Sequence, residues 1–304
     1  MITSAQREFI LASARIPEQL PGYVTAVSGA EPDLLGDYIL YRRPGSLILV
    51  GYPLSGEAGE DTLQAALDEC RRRFTPNRIS LIAPAIPPAE LEKSGLPVSQ
   101  DDYYCLDLEE LILSKKLRSL LKRAGHDLSI EIAERWGRDH QRLVDGFLRS
   151  RTLDQGTLFI FKRLPRYVRT GGGVLVEARD RAGRLVAFDI ADFGAAASGT
   201  SATGAVAAGA VAAGAGAGQY AFYMFNFMDR EHAVPGASDL LLFEVIASAR
   251  QQGKHYLNLG LGINPGVVFF KEKWGAVKFM PYRSILLGSA GESAIDDLLD
   301  LLPM

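Results

Sequence analysis

The chain has 304 residues, 47% hydrophobic and 23% charged, with a formal net charge of −3 and a pI near 5.9. That leaves room for two ordinary domains and lacks the strong positive balance of a chain built wholly to hold nucleic acid. Two distant cysteines, Cys70 and Cys105, and only four histidines make no metal-ligand spacing, so no metal is expected and a reducing compartment is.

The N-terminus has no basic stretch followed by an apolar run, and no secretory signal is expected. Residues Gln6–Ile16 repeat apolar side chains at helical spacing and stop at Pro17. Two strands follow, Asp37–Arg42 and Leu47–Tyr52, around Pro44-Gly45. A helix is expected over Asp61–Phe74, closed by Arg71-Arg72-Arg73, where cations suit the helix dipole. A strand (Arg78–Ala83), a short helix (Pro88–Ser94) and a strand (Tyr103–Leu108) end this half.

The second half begins with a basic helix, Leu108–Ala124, a strand near Leu128–Ile132 and a helix over Asp139–Arg151. Val174–Arg179 and Arg184–Asp189 form a hairpin about Asp180–Gly183. Residues 194–218 are mostly Ala and Gly, too weakly apolar to drive insertion and too Gly-rich for a stable helix. They read as a low-complexity loop, so no membrane span is expected. Then come a strand (Tyr220–Met228), a helix (Ala237–Gln252), a strand (His255–Leu259), a short helix (Val267–Trp274) and a last strand (Phe279–Leu287). The strand–helix–strand of each half repeats with similar spacing. We therefore expect an α/β (α+β) fold of two related domains, residues 1–110 and 111–304, each a mixed sheet flanked by helices.

The chemistry points to the second half. Val234, Gly236, Ala237 and Ser238 surround a helix N-terminus beside a strand end, a place where free amides and the dipole attract anions, although a plain capped helix fits too. Asn258, Gly260 and Gly262 lie at the carboxyl end of the next strand, the usual binding crevice of an open α/β sheet. Lys271 and Lys273 are placed to neutralise a phosphate or the developing charge of a tetrahedral intermediate, or simply to be solvated.

The runs Pro235–Glu244, Ala249–Gly260 and Phe270-Lys271-Glu272-Lys273-Trp274-Gly275 resemble the C-terminal domain of bacterial phosphatidylglycerol lysyltransferases and the Fem-type aminoacyl transferases. The resemblance is strong over Tyr220–Leu287 and only architectural over the first hundred residues. It implies tandem GNAT-like domains, the first degenerate, and transfer of an acyl or aminoacyl group from a carrier to an amine or hydroxyl. The co-substrate would be aminoacyl-tRNA or acyl-CoA, with no tightly bound cofactor, and the acceptor a small molecule, lipid or peptide. The family's electrostatic lysine maps onto Lys271 first and Lys273 second, and the anion loop onto Val234–Ser238. An ordinary acetyltransferase loop carries Arg or Gln and closely spaced Gly. Here Arg230 stands too far ahead and only Gly236 is present, which weighs against CoA.

Direct attack needs a base but no covalent nucleophile. Asp229, Glu231 and His232 are the candidate bases, and Tyr282 a candidate acid for the leaving group. Transfer also needs an opening between the strands Tyr220–Met228 and His255–Leu259. Residues 115–169 hold 14 Lys/Arg against six Asp/Glu, a local bias suited to tRNA, a nucleotide-linked precursor or anionic lipid heads, or to solvated helix faces. A cytoplasmic protein is expected, with peripheral membrane attachment left open. The alternative to an enzyme is a GNAT-fold binding or regulatory module without catalysis.

Overall fold

The computed structural model describes residues 1–94, 97–153, 155–195 and 218–288. Helix α1 (Ser4–Ser13) begins with a capping box between Thr3 and Gln6. A 3-10 turn, Pro17–Gln19, leads into α2 (Pro21–Ser28), which Gly29 ends at φ +75°. Three antiparallel strands follow: β1 (Glu31–Leu35), β2 (Tyr38–Arg43) and β3 (Ser46–Val50). Then come α3 (Glu60–Phe74), β4 (Arg78–Ala83), α4 (Pro88–Ser94) and β5 (Ser99–Asp107).

The chain continues with α5 (Lys115–Asp127), β6 (Leu128–Ala133), α6 (Arg138–Arg149), α7 (Gln155–Thr170), β7 (Val174–Asp180) and β8 (Leu185–Asp192). It closes with β9 (Tyr220–Met228), α8 (Ala237–Gln251), β10 (Tyr256–Leu261), α9 (Pro265–Lys273) and β11 (Val277–Gly288). The Ala/Gly segment at 194–218 lies, from 196 to 217, outside the described residues.

Four elements differ from expectation. Helix α2 and strand β1 fill a stretch to which the sequence analysis assigns no element. Helix α7 was unexpected because Pro165 sits inside it and normally stops a helix. The basic helix starts at Lys115, not Leu108, since Ser114 caps it by accepting from the Leu117 amide at 3.2 Å.

Among the described residues, eleven strands join one mixed sheet in the order β1-β2-β3-β4-β11-β5-β10-β9-β8-β7-β6. The two parallel pairs are β3/β4, spanned by α3, and β9/β10, spanned by α8. Strand β11 is inserted between β4 and β5, and β5 between β11 and β10, so the two halves interlock through their last strands. One face of the sheet carries a single apolar core with α1, α2, α6 and α7. The other face carries two, one under α5 and α8 and one under α3. Among the described residues no helix is long and apolar enough to cross a membrane.

Candidate functional site at the fork of β9 and β10

Strands β9 and β10 pair over only three positions, Tyr256 with Tyr220, Leu257 with Ala221 and Asn258 with Phe222. Beyond them β9 follows β8 and β10 follows β5, so the two strands fork. Both outer ladders shift register at the same level, at Ile190/Ala191 and at Asn258/Leu261. Such irregularities bend strands and re-aim side chains. Gly260, at φ +74°, takes the left-handed conformation this shift requires. The buried Asn258 side chain secures the bend. Its oxygen accepts the Gly260 amide at 2.7 Å and its nitrogen donates to the Arg15 carbonyl at 2.7 Å. Both of its groups therefore serve the protein.

The walls of the fork, Leu259 and Leu261 on one arm and Met224 and Phe225 on the other, are all buried. Phe225 and Phe227 turn toward α7, where both rings meet Phe161 at 6.0 and 5.7 Å. Leu257 belongs to the core beneath α8.

The N-terminus of α8 stands beside this fork. Gly236 holds φ +87° there, and α5 presses on it so closely that a Cβ would lie 3.0 Å from Leu120. The Ala237 amide is bonded to the Val234 carbonyl at 3.1 Å. The Ser238 hydroxyl donates to Asn226 Oδ1 at 3.1 Å. Val234, Gly236, Ala237 and Ser238 are thus gathered at one helix end, next to a helix whose Lys115, Lys116, Arg118, Lys122 and Arg123 are all exposed.

The two candidate lysines diverge. Lys273 reaches back to α8, pairing with Asp239 at 2.5 Å, while Trp274 donates its indole N–H to the same carboxylate at 2.9 Å. Lys271 is buried. Its ammonium donates to the Leu261 carbonyl at the end of β10 and lies 5.6 Å from the centre of the Tyr104 ring. Burial pushes it down to about 7, against the pull of Asp101. Asp101 also holds the turn after β10, accepting the Gly262 amide at 3.2 Å and the Ile263 amide at 2.8 Å.

The candidate bases lie further along β9. Asp229 pairs with Arg142 at 2.6 Å and accepts the Glu231 and His232 amides at 3.0 and 3.2 Å. Burial would raise this carboxyl, but Arg142 and the amides outweigh it and hold it below the usual carboxylate range. Glu231 is exposed. Tyr282 packs edge-on against Tyr103 at 5.7 Å. Lys271 is against Tyr104, whose side chain points to the opposite sheet face. The lysine and this tyrosine are therefore not brought together.

One polar cluster went unread in the sequence. Asp189 on β8 is buried beneath the α8 mouth and accepts from Asn226 at 2.6 Å and Tyr223 at 3.1 Å. Its other oxygen has no partner among the described residues. Burial pushes it up to about 8. The signal was a carboxylate inside the apolar run Leu185–Ile190.

No family model matches the chain, and no curated protein does either. Solved structures do. L-PGS from Bacillus licheniformis superposes with a TM-score of 0.58 at 12% identity, over 99% of this chain and 98% of that one. FemX gives 0.59 at 10% identity, over 93% and 96%. A tandem GNAT protein from the clavulanic acid biosynthesis pathway gives 0.50 at 13%, over 95% of each. These are the kinds of protein the sequence resembles, and at such identities the likeness is one of fold.

Proposed function

We propose that the protein transfers an acyl or aminoacyl group from a carrier to an amine or hydroxyl, using the fork of β9 and β10. The observation that carries this is the fork itself, opened after three paired residues, with the N-terminus of α8 beside it and helix α5, which bears exposed cations, packed against that terminus through Leu120. A helix end with a cation-bearing helix packed on it suits the phosphates of a carrier. The acceptor attacks the acyl carbon. A C–N or C–O bond forms, the bond to the carrier breaks, and the acceptor's proton must leave while the carrier takes one up. Lys271 is suited to that exchange, because a group that titrates near neutrality can give or take a proton. Lys273 and Trp274 instead fix α9 to the first turn of α8 through Asp239, a positioning role.

The absence of closely spaced glycines before α8 favours aminoacyl-tRNA over acyl-CoA as donor, and the resemblance to the lysyltransferases and Fem proteins favours an amine- or hydroxyl-bearing lipid or peptide as acceptor. Two domains, 1–110 and 111–304, with the site in the second, complete the reading. A second reading, a binding module, draws on the buried walls of the fork and the full engagement of Asn258.

Incubating the protein with labelled aminoacyl-tRNA or acetyl-CoA and a panel of amine acceptors separates the two. Transfer that disappears in Lys271→Ala and falls in Lys273→Ala supports the enzyme. Carrier binding without turnover supports the module.

A further inference from the structure

A second basic site lies at the other end of the sheet, away from the fork. A groove of about 480 Å³ opens between the end of α2, the β2–β3 turn and the end of α3. That is the size of a small-molecule site, commonly roughly 300–1,000 Å³. Its walls carry Arg42 and Arg43, and its apolar lining includes Leu47 and Phe74. Arg42 pairs with Asp33 at 3.1 Å and lies 5.1 Å from the centre of the Phe74 ring. Arg43 is half-buried and has no carboxylate partner among the described residues.

Helix α7 brings one more cation from 120 residues away in the sequence. Arg163 donates to the Val27 carbonyl at 3.3 Å and reaches Gly29 on the groove wall. Burial lowers its affinity for a proton, and the nearness of Arg166 and Arg43 lowers it further. The acidic groups facing the groove are Asp33, already paired, and the exposed Glu31. Arg43 and Arg163 thus share the α2 side of the groove with one unpaired carboxylate, Glu31, while Arg42 is matched by Asp33. Crowded cations without counter-charges are unfavourable, and a bound anion relieves them.

We infer that this groove binds a phosphorylated small molecule of about nucleotide size, its phosphate held by Arg43 and Arg163 and its remainder lying along Pro44 and Gly45 of the β2–β3 turn. The site is four strand spacings from β10, roughly 19 Å along the sheet. It is therefore separate from the proposed transfer site and stands whether or not transfer occurs.

Isothermal titration of the full chain with ADP tests the idea. Saturable 1:1 binding is expected, weakened about tenfold or more in Arg43→Ala and strengthened in Glu31→Gln, which removes the unpaired carboxylate. Lys271→Ala should leave it unchanged. Neither Arg43 nor Glu31 holds the fold together through a partner seen here, so both variants should fold, as circular dichroism will check. Absence of ADP binding overturns the inference. So does binding lost in Lys271→Ala but kept in Arg43→Ala, and so does affinity for a 15-nucleotide single-stranded RNA without affinity for ADP.

Discussion

At the residue scale, two buried ionisable groups flank the fork, and they bend stability with pH in opposite directions. Lys271 titrates near 7 in the folded protein and near 10.5 when unfolded. Between those values the unfolded chain binds more protons, so stability rises with pH across that window, and the cost of burying the charge is fullest below 7. Lys271→Met should therefore stabilise the protein at pH 6, by an amount on the order of a few kcal/mol, and much less at pH 10. Denaturant melts at the two pH values read this directly. Asp189 behaves as the inverse case. Its folded value of about 8 lies above the ordinary 3.8 of an aspartate, so the folded state binds more protons in between, and stability falls as pH rises from about 4 to 8. Asp189→Asn should flatten that fall, and an unchanged pH profile would remove the carboxylate from this account.

Elements show how a few backbone positions set the site. Asn258 holds both the bend at Gly260 and the segment before the 3-10 turn, so Asn258→Ala leaves the buried Gly260 amide and the part-buried Arg15 carbonyl unmatched. It should cost about 2–4 kcal/mol, read as a shifted urea midpoint, and should impair transfer more than a distant core change of equal cost. Ile263 sits at φ +58° just past β10, an unusual conformation for a β-branched residue. Its side chain is 59% exposed, so it gains little from burial. Ile263→Gly should raise the melting temperature, relieving about 1 kcal/mol of strain.

The sequence exposed the parallel pairs well, because apolar strand, capped helix and apolar strand each announce themselves locally. It placed Val234–Ser238 together for the same reason. Long-range outcomes were hidden from it. The loss of Lys273 to Asp239, the separation of Tyr282 from Lys271 and the engagement of Asp229 by Arg142 all depend on partners tens to nearly two hundred residues away. Helix α7 escaped because Pro165 argues locally against it, and packing against α2 outweighs that argument.

For the molecule as a whole, the exchanged strands matter most. Removing β11 leaves β4 and β5 without their shared neighbour and removes the carbonyl of Pro281 that Tyr52 bonds at 2.5 Å. A fragment of residues 1–110 should accordingly be unfolded or aggregated when expressed alone, as exchange of its amide protons would reveal, and co-expression with 111–304 should rescue it. Lys254 supplies a different tie. Its ammonium donates to the Ala195 and Gly218 carbonyls at 2.9 and 2.8 Å, pinning both ends of the Ala/Gly segment together. Replacing residues 196–217 with a short Gly-Ser bridge should then leave the melting temperature within a few degrees of the parent, whereas Lys254→Ala should lower it.

The placement of β11 also bears on how the protein is made. Strand β4 is complete when Ala83 is added, but the strand that covers its open edge ends at Gly288, roughly 200 residues later. At about 5–20 residues per second, the ribosome takes roughly 10–40 s to supply it. Through that interval the nascent chain exposes the bare apolar edge of Arg78–Ala83, a ready partner for another unfinished chain on the same message. Yield in the cell should therefore depend on translation speed through the second half and on chaperones that shield strand edges, more than on the stability of the finished fold.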